Sequence, residues 1–367
     1  MINKNQKKVF VGMSGGVDSS VSAALLQKQG YDVTGVFIKV WQPDFVKCTW
    51  REDRLDAMRI CAKLNIPFFT LDLEKEYKRD VADYMINEYK TGKTPNPDVM
   101  CNKYVKFGGF FDWAMEQGAD FVATGHYSRI QDSRFRIHDE NTKKLFKLMA
   151  GADVNKDQSY FLWTLTQKQL SKTLFPIGDI EKPEVRKIAK KLGLSTAVKK
   201  DSQGVCFLGK FDMKEFLTHY IKEIPGKVLN EKGEEIGVHD GALFLTIGQR
   251  HGFKIIEKTP NDSRYYIIAK DAEKNTIIVS QDEAKIIESE TKIVKLKNIS
   301  WTLDKEPDLN KKYSARIRYR QPLEECVIKK AGENIELHFT NPQKAISSGQ
   351  SAVIYDGEVC LGGGIIK

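Results

Sequence analysis

The chain has 367 residues, more than one hydrophobic core comfortably fills, so two or three domains are expected. Hydrophobic residues make up 41% and charged residues 29%, and no window reaches the ~18 uninterrupted apolar residues of a membrane span, which argues against a membrane protein. The net charge of +9 favours a polyanionic partner, and a polar start running straight into an apolar strand argues against a secretory leader and for a cytoplasmic protein.

Short β-rich runs and helical stretches alternate up to about Gly125. Strands are expected at Val9 to Met13, Val33 to Val40, Pro67 to Leu73 and Phe121 to Thr124. Helices are expected at Asp18 to Gln29, closed by Gly30, and at Glu52 to Leu64, Tyr77 to Tyr89 and Tyr104 to Gln117. This alternation predicts an α/β fold with a doubly wound parallel sheet. After Gly209 the texture becomes β-rich, with strands expected at Ala242 to Ile247, Tyr265 to Ala269, Thr276 to Val279, Ser314 to Tyr319, Cys326 to Lys330, Ile335 to Phe339 and Ser351 to Tyr355. We therefore divide the chain into a catalytic domain at 1–209, a small central β-rich domain at 210–289 and a C-terminal β-barrel at 290–367.

The six cysteines (Cys48, Cys61, Cys101, Cys206, Cys326, Cys360) are scattered. None forms a C-x-x-C pair, and no His or Cys spacing reads as a zinc ligand pair, so they are core filler or chemistry rather than a metal site.

Three segments carry the strongest chemical signals, and others lie between and after them. Ser14-Gly15-Gly16-Val17-Asp18-Ser19 lies between a strand and a helix. Its glycines let backbone N–H groups and a helix N-terminus converge on one anion, with Ser14 and Ser19 adding hydroxyls, which makes a phosphate cradle without the Lys of a Walker loop. In Asn96-Pro97-Asp98-Val99-Met100-Cys101, prolines at 95 and 97 are expected to hold the chain extended and to present Cys101 just ahead of a helix near Lys103. Such a thiol is either activated by its cationic neighbours or a buried, inert cysteine. In Asp201-Ser202-Gln203-Gly204-Val205-Cys206, the thiol sits either in a buried strand or in a mobile loop. Ala123-Thr124-Gly125-His126-Tyr127 ends a strand where an open α/β sheet places its crevice; His126 is an acid, a base or a capped polar side chain. Asn155 to Phe161 and Arg316 to Gln321 mix cations, amides and aromatics, which suits RNA contact or a solvated strand edge equally.

Taken in order, these segments, with IGQRHG (Ile247 to Gly252), RYRQ (Arg318 to Gln321) and GQSAVIYDGEVCLGGGII (Gly349 to Ile366), make the chain resemble the tRNA-specific 2-thiouridylases of the MnmA (TrmU) family, within the PP-loop ATP pyrophosphatases. The resemblance runs from Val9 to Ile366. It implies a PP-loop domain, a small central domain and a C-terminal barrel that together thiolate the uridine at the first anticodon position of tRNA. It implies that ATP is held by Gly12, Met13, Ser14, Gly15, Gly16, Val17, Asp18 and Ser19, with Ile38 and Gly125 beside them. Ile38 stands where the family often has Met.

The resemblance also implies that Asn96, Pro97 and Asp98 meet the target base, and that Lys156, Asp157, Gln158, Arg318 and Tyr319 meet the tRNA. Cys206 would carry a persulfide with Cys101 as its partner, and Asp98 is the candidate general acid or base. Mg²⁺ would arrive with ATP and need no dedicated protein site. A persulfide carrier or cysteine desulfurase system would supply the sulfur, and a Cys101–Cys206 disulfide would form in the cycle. The stretch 128–154 resembles nothing specific. An amide-forming ligase using the same loop would not need the two cysteines; a bare RNA-binding protein would not respond to ATP; a cluster-dependent thiolase or a thiol oxidoreductase would call for the missing C-x-x-C.

Overall fold

Strands apolar on both faces need a layer on each side, and the first strands are of this kind: β1 (Lys8–Gly12) and β2 (Asp32–Lys39) are buried almost throughout. In the computed structural model, which describes residues 6–46, 50–132, 145–201, 212–256, 263–282 and 292–367, they lie in a parallel sheet with β3 (Phe68–Asp72) and β4 (Phe121–Ala123). After β4 the chain makes a hairpin, β5 (Ser128–Asp132) and β6 (Phe146–Ala150), and then adds a two-residue edge strand, β7 (Thr173–Leu174). The sheet order is β3-β2-β1-β4-β7. Alternate residues feed opposite cores. Phe10, Val36 and Ile38 pack under the helical stretches 74–90 and 97–116, whereas Val9, Val11 and Phe37 pack under α1 (Val17–Lys28), α2 (Trp50–Leu64) and the helix Lys182–Lys191. The strand order reverses between β1 and β4, which opens the crevice where such sheets bind ligands.

One expected boundary is corrected. The helix at Cys101 starts at Pro97, not near Lys103, and runs through a π-helical stretch, Cys101–Phe110, to 116. Proline at the first helical position costs no hydrogen bond, and the Asn96 side chain accepts from the Val99 N–H at 3.4 Å as its cap. Pro97 therefore opens the helix that it was expected to deny.

The central region begins with a helix, Met213–Thr218, whose Phe216 and Leu217 pack on Met85, Ile86 and Tyr89 of the catalytic domain. Its sheet comprises β8 (Gly226–Leu229), β9 (Glu235–His239), β10 (Phe253–Ile255), β11 (Tyr266–Asp271) and β12 (Thr276–Ser280), in the order β10-β9-β8-β12-β11. The strand expected at Ala242 to Ile247 is instead a 3₁₀ turn, Ala242–Phe244, because the Asn275 side chain takes the Ala242 N–H at 2.9 Å and removes a ladder donor.

Six further strands close a barrel: β13 (Ile293–Trp301), β14 (Lys312–Arg316), β15 (Glu324–Ala331), β16 (Asn334–Phe339), β17 (Ser351–Asp356) and β18 (Val359–Ile366). Their order is β13-β16-β15-β14-β17-β18, and β13 pairs with β18 to complete the ring. Closure there demands glycine at 362, where a Cβ would stand 2.1 Å from the Ser300 carbonyl oxygen, and on the other side of β18 a Cβ on Gly363 would stand 2.3 Å from that of Ala352 in β17. The outer face of β17 and β18 presents Val353, Tyr355, Cys360 and Ile365 to the catalytic core. The β5–β6 hairpin continues the barrel's own sheet, with Met149 opposite Val359 and the Ala150 N–H donating to the Glu358 carbonyl at 2.8 Å. Within the stretch of no specific resemblance, the described strands β5 and β6 thus form the seam between the first domain and the last, and residues 133–144 lie outside the described residues.

Candidate active site

The loop that leaves β1 turns through Gly15 at φ +70°. Glycine is required twice over, because a Cβ would lie 2.3 Å from the Asp53 backbone oxygen. The Ser14 N–H donates to Ser19 Oγ at 3.2 Å, the Gly16 N–H to Ser14 Oγ at 3.3 Å, and Ser20 Oγ to the Gly16 carbonyl at 2.7 Å. Gly16 caps α1 with no side-chain partner at the helix end, so the first N–H groups of a 12-residue helix point into the crevice as an anion site. Gly125, at the end of β4, closes the other side; its Cβ would stand 2.8 Å from the Ser19 nitrogen. Ile38 is buried beneath in the core that also holds Cys101. The structure thereby places Gly12, Ser14, Gly15, Gly16, Asp18, Ser19 and Gly125 around one turn, while the Met13 and Val17 side chains pack into the core under α1 and α2.

Behind the loop lies an ion network that motif reading did not single out. Lys182 Nζ, almost wholly buried, donates to both Asp18 oxygens at 2.7 and 2.8 Å and pairs with Asp201 at 2.9 Å. The Tyr127 hydroxyl donates to Asp18 at 2.7 Å, and Asp201 also receives Lys156 at 2.6 Å and Arg186 at 2.6 Å. Burial alone would raise the Asp201 carboxyl, but the hydrogen bonds from Lys156 and Lys182 outweigh it and hold it at about 2. Lys199 donates to the Gly15 carbonyl at 3.0 Å and to Asp53 and Asp56 at 2.8 Å each. Its ammonium is therefore held in the charged form, against desolvation, by those carboxylates. Residues 199 and 201, from which the chain enters the stretch containing Cys206, are thus tied to the phosphate loop. Cys206 itself, with residues 202–211, lies outside the described residues.

Asn96, Pro97 and Asp98 form the first turn of the 97–116 helix, with Cys101 fully buried one turn further on. Their approach is stapled to the barrel. Gln350 Nε2 donates to the carbonyls of Thr94 at 3.0 Å and Pro95 at 3.3 Å, and the Thr94 N–H donates to the Ser348 carbonyl at 2.8 Å. His126 is buried and sits between Thr124 Oγ1 at 2.7 Å and Lys106 Nζ at 3.4 Å. Burial first, then the Lys106 charge, drives its pKa well down. The ring is therefore neutral, and since an ammonium can only donate, Nε2 accepts from Lys106 and Nδ1–H faces Thr124. His126 is a partnered core histidine.

The Lys156 to Gln158 segment is folded inward. Asp157, buried, accepts from the Gly151 and Ser159 N–H groups at 3.0 Å and pairs with Arg316 at 3.3 Å, while Gln158 Oε1 accepts from the Tyr127 N–H at 3.0 Å. Arg318 reaches the Ile247 carbonyl at 2.9 Å and Ser347 Oγ at 3.0 Å, and desolvation lowers its pKa. Tyr319 lays its ring 4.5 Å from that of Phe161. Arg318 and Tyr319 thus join barrel to central and catalytic domains beside a cavity of about 330 Å³ lined by Thr246, Gln249 and Gln350.

Comparison with known proteins follows the same three-part division. Residues 7–210 match the tRNA methyl transferase HUP domain, 214–281 the tRNA methyl transferase PRC-barrel domain and 291–366 the Aminomethyltransferase beta-barrel domain. The whole chain is 44% identical to a tRNA-specific 2-thiouridylase MnmA of Streptococcus thermophilus, covering 96% of that relative. The chain belongs to the MnmA family. A second MnmA relative, MnmA 2 of Geobacillus kaustophilus, is 45% identical over 99% of this chain and 95% of its own. The MnmA of Pseudomonas savastanoi pv. phaseolicola is 44% identical over 100% and 95%. MnmA membership therefore rests on matches that leave no domain out.

Proposed function

We infer that this protein is a tRNA-uridine 2-sulfurtransferase, which spends ATP to replace the C2 oxygen of the first anticodon uridine with sulfur. The observation that carries this is the alignment of the entire chain with proteins named tRNA-specific 2-thiouridylase at 44% identity. The crevice between β1 and β4, with its N–H-lined turn, supports ATP binding there by the Gly12 to Ser19 loop and Gly125, and Ile38, buried in the core beneath, would back the base.

The chemistry follows from a poor leaving group. The uracil C2 oxygen attacks the α-phosphorus of ATP and expels pyrophosphate, which converts that oxygen into part of an adenylate. The α1 N-terminus and the Ser14 and Ser19 hydroxyls stabilise the phosphate charge that develops. Mg²⁺ bound with the triphosphate would neutralise the departing pyrophosphate. Phosphate oxygens are its natural ligands here, since the Asp18 carboxylate is already shared between Lys182 and Tyr127. The terminal sulfur of a Cys206 persulfide then bonds to C2 and AMP leaves. Attack by the Cys101 thiolate on Cys206 Sγ breaks the S–S bond, frees 2-thiouridine and leaves a Cys101–Cys206 disulfide that a thiol reductant must reduce. Alternatively Cys101 attacks first and releases hydrosulfide as the nucleophile. Either route requires local opening at Cys101, which is fully buried. Asn96 to Asp98 would receive the base, with Asp98 as acid or base, and Lys156 to Gln158 with Arg318 and Tyr319 would meet the tRNA. A cytoplasmic persulfide donor protein completes the cycle, and the domain limits 209/210 and 289/290 remain our division of the chain.

The test is nucleoside mass spectrometry of tRNA incubated with protein, ATP, Mg²⁺, a persulfide sulfur donor and a thiol reductant. Cys206→Ser and Cys101→Ser should each abolish 2-thiouridine while ATP binding persists. Product from either variant would remove that cysteine from the mechanism, and no product from the intact protein would sink the reading.

A further inference from the structure

We propose that Lys199 is a positioning residue for ATP, which holds the Gly15–Gly16 peptide with its N–H rather than its carbonyl toward the phosphates. The proposal rests on the reading that the Gly12 to Ser19 loop binds ATP. In a trans peptide the carbonyl and the N–H point in opposite directions. Lys199 Nζ donates to the Gly15 carbonyl at 3.0 Å, and the Gly16 N–H of the same unit turns the other way, to Ser14 Oγ at 3.3 Å. Ser14 Oγ stands 3.2 Å from Ser19 Oγ, which also accepts from the Ser14 N–H. The donor end of the unit thereby joins the hydroxyls and N–H groups gathered at the start of α1.

With glycine on both sides, this peptide can turn over where its neighbours cannot. A half-turn would carry Gly16 from φ −98° into the positive region that glycine enters freely. The flipped unit would aim the negative end of a carbonyl dipole at phosphate charge. Lys199 opposes that flip, and its geometry suits it to little else. Its acceptors are the Gly15 carbonyl and, at 2.8 Å each, Asp53 Oδ1 and Asp56 Oδ2. They match the three N–H donors of an ammonium and leave none for a direct phosphate contact. The main chain at its root is fixed as well, since Arg186 donates to the carbonyls of Ala197 at 2.9 Å and Lys199 at 3.0 Å. Both carboxylates belong to α2, whose Asp53 backbone already abuts Gly15. One ammonium therefore clamps the phosphate turn to α2, from a strand of chain 184 residues away.

Isothermal titration of the full chain with ATP and Mg²⁺, and separately with adenosine, tests this. The Lys199 side chain is about one-third exposed, so Lys199→Met opens no core cavity. It should weaken ATP about tenfold, equivalent to about 1.4 kcal/mol, and leave adenosine, which has no phosphate for the peptide to face, within about twofold of the parent. Lys199→Arg keeps a charged donor and should hold ATP affinity within about threefold of the parent. Lys199→Met/Asp53→Asn returns the cluster to the parent's net charge but gives the Gly15 carbonyl no donor, so ATP should stay at least about fivefold weaker. Unchanged ATP affinity in Lys199→Met overturns the proposal while the reading of the loop stands. Recovery of the double variant to within about twofold overturns it as well, because Lys199 would then only neutralise Asp53. Equal loss of ATP and adenosine does the same, since the whole site has then collapsed. A parent protein that binds no ATP overturns the reading of the loop and the proposal with it.

Discussion

Replacing Lys182 by Met removes the ammonium at the centre of the network behind the phosphate loop, which also lies 5.5 Å over the Tyr127 ring. Taking one partner from a buried ion pair costs about 3–5 kcal/mol. Here Asp18 and Asp201 are each about one-third exposed, Asp201 keeps Lys156 and Arg186, and Asp18 keeps the Tyr127 hydroxyl. We therefore expect about 2–3 kcal/mol, or about 5–10 °C in the transition of the catalytic domain. Urea denaturation of the two proteins measures the difference directly, and the double variant Lys182→Met/Asp18→Asn should restore part of it, because the stranded carboxylate is then neutral. The pH dependence has a definite sign. The Asp201 carboxyl lies at about 2 when folded against 3.8 ordinarily, so its contribution is present above pH ~4 and is lost as pH falls through ~2. The gap between parent and variant should narrow across that window. A gap under about 0.5 kcal/mol, or strict additivity in the double variant, would refute the assignment of Lys182 as the centre of the network.

Two further outcomes follow from packing. Gly15→Ala should abolish ATP-dependent turnover and destabilise the fold by about 1–3 kcal/mol, since it combines a positive φ with a clash against Asp53; isothermal titration with ATP would expose the error if affinity were retained. Burial pushes the thiols of Cys61 up to about 11 and Cys326 up to about 12, and Cys360 higher still. Iodoacetamide at pH 8 should therefore spare all three in the native protein and label them only after denaturation, and peptide mass mapping that finds them labelled at native speed would contradict their burial.

What the sequence announced was local. The phosphate turn, its flanking strand and helix, and the two glycines that close the crevice could be read because strand–turn–helix geometry is written within a dozen residues. Residues whose roles depend on distant partners could not. Nothing around Lys182 says that it reaches Asp18, 164 residues away, and Gln350 has no local mark that it caps carbonyls at Thr94 and Pro95. Local rules also competed. Prolines at 95 and 97 suggested an extended run, yet one of them suits the first turn of a helix once Asn96 caps it. β18, with three consecutive glycines, carries little strand signal of its own, and only the crowded crossing against β13 and β17 explains them.

The hairpin β5–β6 borrows its outer neighbour from β18, which emerges from the ribosome roughly 200 residues later, on the order of 10–40 s at ordinary translation rates. Through that interval the early domain exposes an unmatched ribbon edge, a surface on which nascent chains from neighbouring ribosomes can stick. The β6 edge of this seam is therefore covered only when β18 arrives.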